Sequence, residues 1–175
     1  MSTSNYPVPL AGTPLTADFL ASMLPQLVEK TAAQSVVSST VNVNDNHLFY
    51  PVEANAIYTM EGLLLYSVRS DTDINFGFTG PSGTTIDWTC HAMDPAGSGI
   101  STTSVIVARQ AIGGTAFPLG GFGADNNSYM TALLRGRIDT AATAGTFQLT
   151  WAQRVSNATA AVMQAGSWMK FTRHS

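Results

Sequence analysis

Charge is what this 175-residue chain has least of. Charged residues make up 11% of it, against roughly 25% in typical soluble domains. Lys30 and Lys170 are the only lysines, and Glu29, Glu53 and Glu61 the only glutamates. A charge-driven disordered chain is thereby disfavoured, and so is a helical bundle, whose exposed faces draw on Glu and Lys. A net charge of -3 offers no basic surface for the phosphates of DNA or RNA. No nucleic acid partner is expected. Cysteine is scarce too: Cys90 alone excludes an intramolecular disulfide framework and any multi-Cys zinc site. No apolar run approaches the ~20 residues of a membrane helix, and the longest, GLLLYSV at 62–68, has strand length. The opening MSTSNYPVPL has neither the basic stretch nor the apolar core of a signal peptide. Synthesis in a cytoplasm, with no membrane partner, is the expectation. Hydrophobic residues nevertheless reach 45%, enough for the core of one domain at this length.

Residues 1–15 hold three prolines and no sustained period, and read as an extended arm. Residues 16–30, TADFLASMLPQLVEK, carry the one helical pattern. Phe19, Leu20, Met23, Leu24, Leu27 and Val28 form a single apolar stripe. Thr16 suits the N-cap and Asp18 the first turn, while Pro25 predicts an end or kink near Leu24. So short a helix is not stable alone, and its stripe must cover either this chain's own core or a partner.

From residue 34 the texture changes to period-two strands separated by turns. The spacing predicts strands at 34–43, 47–53, 56–68, 73–80, 84–93, 101–112, 128–139, 145–155, 160–164 and 167–173. NDN at 44–46 reads as a turn, and Pro51 places its strand at a sheet edge. Residues 113–127 read as a glycine-rich connection. With no helical pattern between strands, βαβ units are absent. The fold expected is mainly β, an antiparallel two-sheet sandwich of the jelly-roll kind, with an extended N-terminal arm and one short helix.

Residues able to do chemistry are scattered. Cys90 shares the Ile86–Trp88 side of its strand, so a buried, inert thiol is expected; His91 points the other way, which rules out a nucleophile–base pair between them. His47, His91 and His174 show no metal-ligand spacing. NVNDN (42–46) and RSDTD (69–73) faintly resemble calcium loops, yet Asp and Asn are also ordinary turn residues. Trp88, Trp151, Trp168, Phe76, Phe78 and Phe147 read as core. Tyr50, Tyr66 and Tyr129 are weaker candidates for an exposed sugar-binding platform.

ANAIYTMEGLLLYSV (54–68), FGFTGPSGTTIDW (76–88) and GTFQLTWAQRVSNATAAVMQAGSWMKFTR (145–173) together resemble small β-sandwich virion proteins of tailed bacteriophages and prophages of actinobacteria. The front part, 11–48, is similar to the start of those proteins, and 94–127 matches least. The resemblance implies a non-enzymatic structural role with no catalytic residue, cofactor or metal. A capsid decoration (cement) protein that docks on the head and stabilises it is the leading expectation. Residues 1–33 would be the anchor and 34–175 the sandwich. Its partner would be the major capsid protein or another virion protein, its place the virion, and its assembly a homotrimer. Phe19, Leu20, Met23, Leu24 and Leu27 are the candidate docking residues. The alternative keeps the fold and makes the chain a minor tail or fibre protein that binds a host-surface glycan.

Overall fold

Alternation of apolar and polar residues produces twelve strands in the computed structural model, which describes residues 11–12, 14–22, 24–96, 103–113 and 116–174. The order is α1 (Ala17–Ser22), β1 (Gln26–Glu29), β2 (Gln34–Val36), β3 (Val43–Val52), β4 (Ile57–Ser67), β5 (Ile74–Thr79), β6 (Thr85–Met93), β7 (Thr103–Ala111), β8 (Phe117–Leu119), β9 (Met130–Asp139), β10 (Gly145–Gln153), β11 (Ala161–Met163) and β12 (Trp168–Arg173). All pairings are antiparallel. The larger sheet runs β1-β12-β4-β9-β6-β7, with β11 joining β2 to the end of β4; the smaller runs β3-β10-β5-β8. The β6–β7 hairpin and the β2–β11 ladder are additions. The other eight strands, counted along the chain, lie in the order 1-8-3-6 in one sheet and 2-7-4-5 in the other. That interleaving is the jelly roll, two Greek keys folded into a sandwich.

The core lies between the sheets and is filled from both sides. Tyr58, Met60, Leu64 and Tyr66 of β4, Trp88 and Cys90 of β6, and Met169 and Phe171 of β12 face Phe76, Phe78, Phe147, Leu149 and Trp151 of the smaller sheet. Aromatic rings tie the layers together. Phe78 meets Trp88 edge-on at 5.1 Å, and Phe147 meets Phe171 at 6.0 Å between centroids. Each such pair adds about 0.5–1.5 kcal/mol beyond burial of its area. Gly121 lies against the backbone of the β4–β5 connection: a Cβ there would stand 2.1 Å from the Arg69 carbonyl oxygen. Its N–H donates to Asp73 Oδ1, and Tyr66 Oη donates to the carbonyl of Gly120.

Several local expectations are corrected. The helix ends at Ser22, and residues 26–29 are a strand in register with Phe171–Trp168. Pro25 lacks an N–H and stops the helix; the open edge of β12 then recruits the following residues. β1 therefore belongs to the larger sheet, and Lys30 follows it into the core. The NDN segment is a bulge within β3 and not a terminal turn. Thr150 pairs with Asn44 and Gln148 with Phe49, so four residues of β3, from Asp45 to Leu48, lie opposite Leu149 alone. The strand expected at 34–43 is only 34–36, and the glycine-rich connection contains β8.

Candidate interaction surface

Thr16 caps α1 as its hydroxyl predicts, accepting from the Phe19 N–H at 3.2 Å. Beyond the cap the segment leaves its leucines in solvent. Leu15, Leu20, Leu24 and Leu27 are 68%, 49%, 64% and 60% exposed. Phe19 is half-buried, and Met23 lies outside the described residues. The five candidate docking residues therefore do not form one helical stripe. Phe19 and Leu20 sit on α1, Leu24 follows it, and Leu27 stands on β1 opposite Lys170.

Leu27 opens onto the outer face of the larger sheet. Register places Glu29, Trp168, Leu63, Leu133 and His91 in one row across β1, β12, β4, β9 and β6. The next row reads Leu27, Lys170, Glu61, Arg135 and Thr89. The solvent face of an antiparallel sheet is normally polar, yet Trp168, Leu63 and Leu133 make an apolar line across three adjacent strands. Leu133 is 47% exposed, and Trp168 and Leu63 are half-buried. The adjacent row is charged, with Lys170 Nζ 2.5 Å from Glu61 Oε2, and farther along β9 Arg137 Nη2 sits 2.9 Å from Asp139 Oδ2. The Lys170 ammonium holds the Glu61 carboxyl below its ordinary range. Trp168 read as core from sequence together with the other tryptophans, yet in β12 it shares the side of Lys170, opposite the buried Met169 and Phe171. The register of β12 turns it outward.

A polar cluster that sequence alone did not reveal anchors β1. Lys30 Nζ lies 2.9 and 3.0 Å from the two Asp45 carboxylate oxygens, with both side chains fully buried. Asp45 also accepts from His47 N–H, Leu48 N–H and Trp151 Nε1, at 2.9, 3.0 and 3.2 Å. A buried charge needs such saturation. The one signal was a turn-forming Asp ahead of a strand, and its partner lies fifteen residues earlier.

The remaining candidates fall into structural places. Cys90 is buried at 0% exposure, and loss of solvation pushes its thiol up to about 12. Tyr66 is buried, Tyr50 stacks on Phe171 at 4.7 Å, and Tyr129 is exposed. In the RSDTD segment, Asp71 pairs with Arg69 at 2.7 Å and Asp73 with Arg154 at 3.1 Å. Among the described residues no three His, Cys, Asp or Glu side chains converge as metal ligands would, and no helix is long and apolar enough to cross a membrane. A cavity of about 460 Å³ is lined by Ser70, Met93, Pro95, Ala96, Gly121, Phe122 and Gly123. Its one side-chain hydroxyl, that of Ser70, already donates to the Gly123 carbonyl.

No family model matches the chain, and no curated protein matches it. Solved structures that align with it include the infectious bursal disease virus VP2 subviral particle, at 10% identity and a TM-score of 0.20, over 86% of this chain and 42% of that one. The structure of infectious bursal disease virus Gt strain aligns at 13% identity and a TM-score of 0.19, over 99% and 49%. This chain spans less than half the length of either, and superposition so loose carries no argument about role.

Proposed function

We propose that this chain is a non-enzymatic structural component of a virion, most simply a decoration protein that seats on the head of a tailed bacteriophage and reinforces it. One observation carries the reading: the sandwich core is complete, yet Leu15, Leu20, Leu24 and Leu27 stand in solvent on the segment leading into it. Burying a leucine is worth ~1.5–3 kcal/mol, so three or four together offset a good part of the cost of association. The sparse charge and the abundance of Ser, Thr, Ala and Gly in the chain suit tight packing against other subunits, where charges are depleted. The sequence resemblance supports the same class.

The alternative, a tail or fibre protein that binds a glycan, finds its support in Trp168. It is an indole on the outer face with Glu29 beside it in register, an arrangement of aromatic plane and acid suited to a sugar. Copy number separates the two readings. Quantitative mass spectrometry of purified particles should find this chain in hundreds of copies if it decorates the head and in a handful if it belongs to the tail. Its absence from particles overturns both. The triple variant Leu15→Ser, Leu20→Ser, Leu24→Ser should melt like the unaltered chain and no longer join particles; full incorporation would remove these leucines from the docking surface.

A further inference from the structure

An edge strand presents a row of backbone N–H and C=O groups able to pair with another chain, and proteins blunt such edges. Among the described residues four of the five strand edges are blunted. β2, which pairs only with β11, has three residues. β1 has four residues and carries Gln26 and Glu29. β3 holds Pro51 and the bulge at Asp45–Leu48. β8 has three residues with Pro118 at their centre. β7 is unlike them. It has nine residues, TSVIVARQA, with no proline, glycine, lysine or acid. Its register with β6 is unbroken from Thr103 opposite Met93 to Ala111 opposite Thr85, so no bulge turns the edge away. It stands last in its sheet, and among the described residues no strand lies beyond it.

We propose that β7 is an interface strand, through which two copies of this chain pair antiparallel across a two-fold axis and join their larger sheets into one. The occupant is a second copy because an antiparallel strand of identical sequence satisfies every free backbone group by symmetry. Charge points the same way. With the axis at Val107, the middle residue of β7, Val107 meets its own counterpart and Ile106 meets that of Ala108. Val105 meets the counterpart of Arg109. The two Arg109 positions then stand four residues apart, ~13 Å at ~3.4 Å per residue, beyond the ~8 Å Debye length of physiological salt. Parallel in-register pairing would instead set Arg109 beside itself, which is unfavourable. The two-fold differs from the homotrimer that the resemblance implies, and it stands whether or not the chain is part of a virion.

Val107 pairs with Thr89 in the β6 register, and with the axis at 107 a charge placed there meets its own copy, so charge at 107 tests the interface. Sedimentation velocity of the full chain should show a dimer. Val107→Glu and Val107→Lys should each sediment as monomers with unchanged circular dichroism, and an equimolar mixture of the two should recover the dimer. A full chain that is monomeric or trimeric, or a dimer that survives both substitutions, overturns the proposal. Hydrogen exchange on the unaltered chain gives a reading that needs no variant. Alternate β7 amides, those not bonded to β6, should gain protection as concentration rises, and exchange independent of concentration overturns it equally.

Discussion

Lys30 and Asp45 show how a chain poor in charge uses one ion pair. Removing one partner of a buried pair leaves the other charge uncompensated, at a cost of about 3–5 kcal/mol. Lys30→Met should lose that much, read as a lower urea midpoint. Changing Asp45→Leu as well should not restore stability, because His47 N–H, Leu48 N–H and Trp151 Nε1 then lose their acceptor. Full recovery in the double variant would show that the pair matters only for its own charges. Cys90 gives a second expectation at this scale. A thiol buried in the core and pushed up to about 12 should react with a thiol reagent only as fast as the protein opens, and quickly after denaturation. Gly121→Ala forces a Cβ onto the Arg69 carbonyl and should cost about 3 kcal/mol.

At the scale of elements, β1 is the point of interest. It is four residues long and mostly exposed, yet it completes the edge of the larger sheet and delivers Lys30 into the core. Lys30 N–H also donates to the Ser167 carbonyl, and Gly166 N–H to that of Lys30. A chain starting at residue 34 should therefore melt well below the full chain, since it lacks the ladder on β12 and leaves Asp45 unpaired. A chain starting at residue 24 keeps both and should melt within a few degrees of it. Equal melting of all three would mean that β1 contributes nothing to the fold. Apolar periodicity at 19, 20, 23, 24, 27 and 28 was legible, but two geometries share it. A helix interrupted by Pro25 and a strand beginning after it satisfy the same positions, and only the free edge of β12 selects the strand.

For the whole molecule, acid acts on carboxyls held away from their ordinary range in both directions. Asp71 is held at about 2 by the Arg69 guanidinium, below its ordinary 3.8, and Glu61 is lowered by Lys170. A lowered carboxyl contributes stability above its unfolded value and loses it as pH falls through the folded one. Asp73 works in the opposite sense: burial raises it, so its protonation on acidification favours the folded state. Among the described residues two carboxyls are lowered and one is raised, and melting temperature should fall between about pH 4 and pH 2. Asp71→Asn should flatten the lowest part of that fall. An increase in stability over this range would mean that Asp73 dominates.

The fold class followed from the sequence by itself. Alternation places Phe76 with Phe78, Ile86 with Trp88 and Cys90, and Met130 with Ala132 and Leu134 on single faces, because successive side chains of a strand point oppositely and only one face of each strand meets the core. The jelly-roll interleaving, the burial of Lys30 against Asp45 and the outward turn of Trp168 were decided by tertiary structure. Each depends on register between strands far apart in the chain, as when Trp168 pairs with Leu63 and that pair with Leu133. Local pattern sets which residues of a strand share a face. Which face meets the other sheet at a strand's end, and which strand takes an open edge, are settled by pairing energy summed over the whole sheet.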